Sequence, residues 1–321
     1  MTSRRSVLNL GIAATAALAG IFLIDRRAAA NEAQAETDFP PTGQFLRVDG
    51  ARVHAHVQGS GPDLILIHGA SGNTRDFTFG LVAALAARYR VIAFDRPGLG
   101  WSDAIGDQGL SPLGQALHLQ KAAAQLGVTR PLILGQSYGA AVSMAWALSS
   151  PDPAALVLVS GATMPWKGRA LGPWYEVAQT GIGGLTAVPL VAAFPPLEYA
   201  RNALAAVASP EDPPGGYAEY IGLPLILRRE SIRVNARQVG SLKAHIVDMM
   251  PRYPSVTQPV ELLHGTADTI VFASVHSEPL SRLLPGSNLT LLSGAGHMAH
   301  HTRQTEVIAA IDRAAASAGL R

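Results

Sequence analysis

Three residue types that can turn an alcohol into a nucleophile stand at the ends of apolar runs: Ser137 in GQSYG, Asp268 in HGTADTIV and His297 in GAGH. A serine hydroxyl is a poor nucleophile near neutral pH. It needs an imidazole to take its proton and a carboxylate to orient that imidazole. Gly135 and Gly139 flank the serine where the apolar run PLILG gives way to an Ala-rich segment. Glycines at such a junction let strand and helix approach closely while the serine sits in a strained turn with its hydroxyl presented. An ordinary tight turn is the competing reading of the five-residue pattern taken alone.

Ten histidines compete for the role of base. His297 lies just beyond the last strand-like run and is the candidate. His300 and His301 follow a turn later, as supports of the base or as surface residues. His297 and His301 are four apart, yet neither an H-E-x-x-H pattern nor a third ligand accompanies them, so no metal is expected, and no cofactor either. His54, His56, His264 and His276 read as structural, and His245 is a lesser candidate to face a pocket. For the acid, the alternative position after the sixth run reads SGATMP and carries no carboxylate, which leaves Asp268. Asp95 and Asp103, in FDRPGLGWSD, are assigned to loop hydrogen bonds. The tetrahedral intermediate of acyl transfer also needs two N–H donors, and losing one costs about 10²–10³ in rate. The residue after the nucleophile, Tyr138, offers one backbone N–H, and Ala70, in the loop after LILIHG, offers the other.

These residues have to be carried by the apolar runs themselves. FLRVDG and ARVHAHVQG alternate apolar and polar residues, as half-exposed antiparallel strands do. DLILIHG, RVIAFDRPG, PLILGQS, ALVLVSG, VELLHGTAD and LTLLSGAGH are continuous, as strands buried on both faces are. Helical patterns at 77–88, 111–126 and 140–149 fall between them, so a parallel, doubly wound α/β sheet is predicted, with ligands at the carboxyl ends of its strands. From Thr163 to about Met250 the rhythm breaks. A structureless loop of that length is improbable, and the interval is read as a helical cap. Within it Arg229, Arg233 and Arg237 recur every four residues, read as the solvated face of a helix, with contact to an acidic lipid or acidic substrate as the alternative. The domain reading is residues 1–44 as leader and linker, 45–163 as the first part of a core, 164–250 as the cap and 251–321 as the second part of the core.

Taken together, HGASGNTRDF, FDRPGLGWSD, GQSYGAA, GTAD and GAGHMAHH resemble the α/β-hydrolase superfamily in its capped, single-domain branch, over roughly residues 45–321. The order Ser137, Asp268, His297 is the one that arrangement uses. The resemblance implies an eight-stranded, mostly parallel sheet flanked by helices, a cap over the site, and hydrolysis through an acyl-serine intermediate. It also implies an oxyanion hole from the backbone of Ala70 and Tyr138. Gln136 departs from it, since many relatives have histidine before the serine. A serine at the nucleophile position disfavours the dehalogenase and epoxide-hydrolase chemistries, which need a carboxylate there.

The first 35 residues differ from the rest. Arg4 and Arg5 precede an uncharged stretch from Ser6 to Ile24, and an A-x-A site follows at Ala33–Ala35. This is the layout of an export signal, with SRRSVL close to the twin-arginine form. The rival is an uncleaved membrane helix through residues 6–24, near the minimum spanning length. A cell-envelope location is expected either way. The leader holds four of the 25 basic and two of the 23 acidic side chains, so the body carries 21 of each. A neutral body argues against a nucleic-acid partner. The chain has no cysteine, which removes disulfides, thiolate metal sites and cysteine nucleophiles. The expected activity is that of a serine hydrolase on a small, hydrophobic acyl compound. Carbon–carbon bond hydrolysis, aminopeptidase or perhydrolase activity with the same triad are alternatives, and a ligand-binding or sensing protein on the same fold is an alternative of another class.

Overall fold

A computed structural model describes residues 4–168 and 172–321, with side chains from residue 15 onward. The apolar runs form one eight-stranded sheet: β1 (Gln44–Val48), β2 (Ala51–Gln58), β3 (Asp63–Ile67), β4 (Arg90–Phe94), β5 (Leu132–Gln136), β6 (Ala155–Val159), β7 (Val260–Gly265) and β8 (Ser287–Leu292). Their spatial order is β1-β2-β4-β3-β5-β6-β7-β8. β2 is antiparallel to both β1 and β4, and every other neighbouring pair is parallel. The alternating strands β1 and β2 are part exposed, whereas β5, β6 and β7 are buried throughout.

Helices cover both faces, as buried parallel strands require. On one face Ala116 and Leu119 of the helix Pro112–Gln125 and Ala141 and Val142 of the helix Tyr138–Ser149 pack on the sheet. On the other, Leu81 and Leu85 meet Val307 and Ile311 of the C-terminal helix Gln304–Ser317. The single helical pattern expected over 77–88 is instead two short helices, Arg75–Thr78 and Leu81–Leu85. Gly80 separates them with φ −161°, outside the helical region.

Between β6 and β7 the described chain is helical, from Pro173–Ala178 through to the long helix Arg229–Met249. That last helix buries Ile232, Ala236, Val239, Leu242 and Ile246, a three-to-four spacing that makes one apolar face. It lies over the loops at the strand ends: its Gln238 amide donates to the carbonyls of Pro97 and Gly109, and its Asn235 Oδ1 accepts from the Ser71 N–H. The arginine stripe read as a solvated face is engaged. Arg229 pairs with Glu32 and Asp25, Arg233 donates to the Gly184 carbonyl, and Arg237 pairs with Asp107. Arg229 and Arg233 are part buried by these contacts, whereas Arg237 stays exposed beside the exposed Asp107.

The N-terminal segment forms one helix, Arg4–Asp38. Its second half is docked on the insertion rather than detached. Ala28 and Ala35 are buried, and Ile24 packs with Ala28 against Ala192 and Ala193. Asn31 Nδ2 and Arg27 Nε donate to the last carbonyls of the helix Gly181–Ala193, groups that have no acceptor role within their own helix. The Ala33–Ala35 site therefore sits in a packed helix. Among the described residues no single helix is long and apolar enough to cross a membrane. The side chains of Arg4, Arg5 and the first part of the 6–24 run lie outside the described residues.

Candidate active site

Strand order reverses between β3 and β5, the place where open α/β sheets leave a crevice at their carboxyl ends. Ile67 of β3 is in register with Gly135 of β5, so the loop carrying Ala70 and the turn carrying Ser137 leave the sheet side by side. Ser137 adopts φ 51° and ψ −114°, outside the ordinary regions for a side chain with a Cβ. Three backbone bonds hold it there: Ser137 N–H to the Val159 carbonyl at 3.0 Å, and the Ala140 and Ala162 N–H groups to the Ser137 carbonyl at 3.1 Å each. The flanking glycines are required sterically. A Cβ at Gly139 would lie 2.0 Å from the Ile67 carbonyl oxygen, and one at Gly135 would lie 2.4 Å from that of Gly139.

Asp268 follows β7 and His297 follows β8. His297 Nδ1 lies 2.7 Å from Asp268 Oδ2, the geometry of an imidazole N–H donating to a carboxylate. Both are buried. The other carboxylate oxygen accepts the N–H groups of Ile270 and Val271 at 2.9 Å each. Burial alone would raise the Asp268 pKa, but hydrogen bonds from His264, His297 and the Val271 N–H outweigh it and hold the carboxyl well below the usual range. The remaining imidazole nitrogen, His297 Nε2, faces the side chain of Gln136, 3.5 Å from its amide nitrogen and one residue from Ser137. Ser137 is half-buried, and among the described residues its hydroxyl makes no hydrogen bond.

Gly69 touches the elbow closely: a Cβ there would meet Gln136 Oε1 at 2.3 Å and Ser137 Cβ at 3.2 Å. Ala70 comes next, then Ser71 with φ 54°. Tyr138 opens the helix that follows the serine, where an N–H has no intrahelical acceptor. The loop at Gly69 is thus in contact with the elbow, and the Tyr138 N–H belongs to the positive end of the helix that begins right after Ser137.

Three supports were not legible in the sequence. Arg96 is fully buried and, among the described residues, pairs with no carboxylate; it donates to the carbonyls of His68 and Gly69 at 3.0 and 2.9 Å and to Gln115 and Gln238, with its guanidinium 4.2 Å from the Tyr138 ring centre. It thereby ties the Ala70 loop to the Tyr138 helix and the insertion. His264, read as structural, lies 3.3 Å from Asp268 Oδ2 and is fixed by Ser277. His276 Nδ1 accepts the N–H groups of Thr163 and Met164, and burial pushes its pKa down to about 4. Arg96 and His276 act through partners distant in sequence, whereas the partners of His264 lie within thirteen residues of it.

The other expectations sort as follows. Asp95 accepts from His54 and from the Thr74 and Trp101 N–H groups, and Asp103 pairs with Arg52. His300 and His301 both turn to Asp76, at 3.0 and 2.8 Å, with the Tyr217 hydroxyl on the same oxygen. A cavity of about 380 Å³ where the N-terminal helix, the insertion and the loop after β4 meet is lined by Glu32, Arg52, Trp101, Asp103 and Arg228, and by none of Ser137, Asp268 or His297.

Residues 64–311 match the alpha/beta hydrolase family. The chain is 29% identical to the magnesium-chelatase 30 kDa subunit of Rhodobacter capsulatus, over 75% of this chain and 82% of that one. It is 26% identical to the pimeloyl-[acyl-carrier protein] methyl ester esterase of Nitrosomonas europaea, over 77% and 93%. Among solved structures it is similar to the esterase RhEst1 from Rhodococcus sp. ECU1013, with a TM-score of 0.66 and 25% identity over 84% of this chain and 97% of that one. With the sheet order, the strained serine after β5 and the buried acid–base pair after β7 and β8, the match over most of the chain means that the protein belongs to the alpha/beta hydrolase family.

Proposed function

We propose that the protein is a serine hydrolase that cleaves an ester or similar acyl bond of a small hydrophobic substrate through an acyl-serine intermediate. Ser137 attacks the carbonyl carbon, His297 takes the hydroxyl proton through Nε2 and later passes it to the leaving group, and Asp268 fixes the imidazole. The N–H groups of Ala70 and Tyr138 receive the oxyanion. Water then attacks the acyl-serine with His297 again as base. The observation that carries this reading is the 2.7 Å Asp268–His297 pair, whose free Nε2 faces the residue before a serine at φ 51°. Ester chemistry draws support from the similarity to two esterases. A hydrophobic substrate draws support from Ile270 and Val271, which lie beside the acid and belong to or pack against the main apolar core. Turnover of p-nitrophenyl esters of graded acyl length by the wild type, with none by Ser137→Ala, is the expected result; equal rates for the two proteins would refute it.

The same proposal includes a place at the cell envelope, with the N-terminal helix retained as a membrane attachment through residues 6–24. Retention is favoured over removal because residues 24–38 contribute buried side chains and the Arg229–Glu32 pair to the insertion. N-terminal mass analysis of membrane-fraction protein tests it: a mature chain beginning after Ala35 would refute it.

A further inference from the structure

The helix Gly181–Ala193 (GIGGLTAVPLVAA) has no charged residue, although it lies on the surface of the insertion. One face packs inward through Gly184, Val188 and Ala192. The opposite face presents Ile182 and Leu185, 80% and 77% exposed, followed by Leu190 and Phe194. A helix that met only water would carry charges there. Isolated exposed apolar residues need no explanation, but a run of large ones along an uncharged helix marks a contact surface.

What covers it is indicated by its neighbour. The N-terminal helix packs along Gly181–Ala193 and is joined to its end by Arg27, whose guanidinium lies 4.4 Å from the Phe194 ring centre. On that neighbouring helix Leu18, Ile21, Phe22 and Leu23 are likewise exposed, and they belong to the uncharged stretch 6–24. Arg26 and Arg27 stand at its end, Arg26 over Phe22 and Arg27 over Phe194. Apolar side chains bordered by exposed arginines that lie over aromatic rings are what the boundary between acyl chains and anionic headgroups accommodates. The helix Leu197–Ala208 that follows is bent away by 102°, so Gly181–Ala193 suits lying along a surface and not crossing it.

We infer that the exposed face of the helix Gly181–Ala193 rests on an anionic lipid bilayer beside the N-terminal helix. The insertion is then held against the membrane at two points, and the helices over the site's rim sit where a membrane-dissolved acyl compound is concentrated. This rests on the membrane attachment proposed above and adds a second contact to it.

The chain has no cysteine, so single cysteines can be labelled without background. Full-length Phe22→Cys, Leu185→Cys and, on the core helix Pro112–Gln125, Leu113→Cys are labelled with the environment-sensitive fluorophore NBD. They are reconstituted into phosphatidylcholine–phosphatidylglycerol vesicles with and without doxyl-labelled lipid. Labels at 22 and 185 are expected to shift to the blue and to be quenched several-fold by doxyl lipid, with the label at 113 unaffected. Quenching at 22 with none at 185 overturns this inference and leaves the attachment standing, whereas no quenching at either position refutes the attachment itself. A blue shift at 185 that resists doxyl lipid and grows with protein concentration assigns the face to a second copy of the chain and also overturns the inference.

Discussion

Asp268 Oδ2 lies 2.7 Å from His297 Nδ1, and its second oxygen is saturated by the backbone N–H groups of Ile270 and Val271. The carboxylate therefore cannot swing away from the imidazole, and it fixes the tautomer that leaves Nε2 as the proton acceptor. Asp268→Asn keeps the size but presents an amide donor or a weaker acceptor to Nδ1. In a triad with the same logic such a change costs about 10⁴ in kcat. The same order of loss, with an unchanged circular dichroism spectrum, is expected in steady-state ester hydrolysis.

Gly139→Ala tests the elbow without touching a reacting group. Its methyl would stand 2.0 Å from the Ile67 carbonyl oxygen, a backbone atom in the middle of the sheet. The helix after Ser137 would have to retreat from β3. A destabilisation of about 2–4 kcal/mol in urea unfolding is expected, at the upper end of single-residue effects. Gly181→Ala, which meets nothing within 4 Å, serves as the neutral control.

Acid should destabilise the fold before the carboxylates titrate. Burial lowers the pKa of His276 to about 4, and burial with the nearby Arg96 charge lowers that of His68 to about 4, against an ordinary 6.5. Between those values the unfolded chain binds protons that the folded chain does not, so stability falls as pH drops from about 6.5 to about 4. At 1.36 kcal/mol per pKa unit each histidine contributes about 3 kcal/mol across that window. Asp268 and Asp76, whose folded pKa values are depressed, lose their contribution only below the ordinary carboxylate value of 3.8. Thermal melts from pH 7.5 to 4 should show this slope, and His276→Gln should flatten it.

The docked half of the N-terminal helix can be tested through one pair. Arg229 donates to both carboxylate oxygens of Glu32 across nearly 200 residues, with each side chain about one-fifth exposed. A double-mutant cycle of Arg229→Ala and Glu32→Ala should return a coupling of roughly 1–2 kcal/mol, and no coupling would mean that the helix is not seated as described.

The strands, and the three residues proposed to react, are announced locally in the sequence. Continuous Leu/Ile/Val runs end at Gly–x–Ser, at Asp and at His, and their order alone suggests a shared rim. Arg96 could not be found this way: an arginine in FDRPGLG gives no hint that its partners are the carbonyls of His68 and Gly69 and a glutamine 142 residues on. In the arginine stripe on the helix Arg229–Met249, Arg237 is exposed as a solvated face requires, but a helical spacing does not say that Glu32 lies opposite Arg229. Nor does hydropathy distinguish a detachable leader from a helix whose second half, from Ile24 to Asp38, packs on the insertion. Small residues such as Ala28 and Ala35 serve both readings equally well.

The most direct measurement asks whether the Ser137 hydroxyl is activated by the imidazole that the distant Asp268 holds. The purified protein is treated with a fluorophosphonate and its intact mass and tryptic map are read. One adduct per chain on Ser137, absent in Ser137→Ala and formed orders of magnitude more slowly in His297→Ala, is the predicted result. An adduct on another residue, or wild-type protein that stays folded and unlabelled, would contradict it.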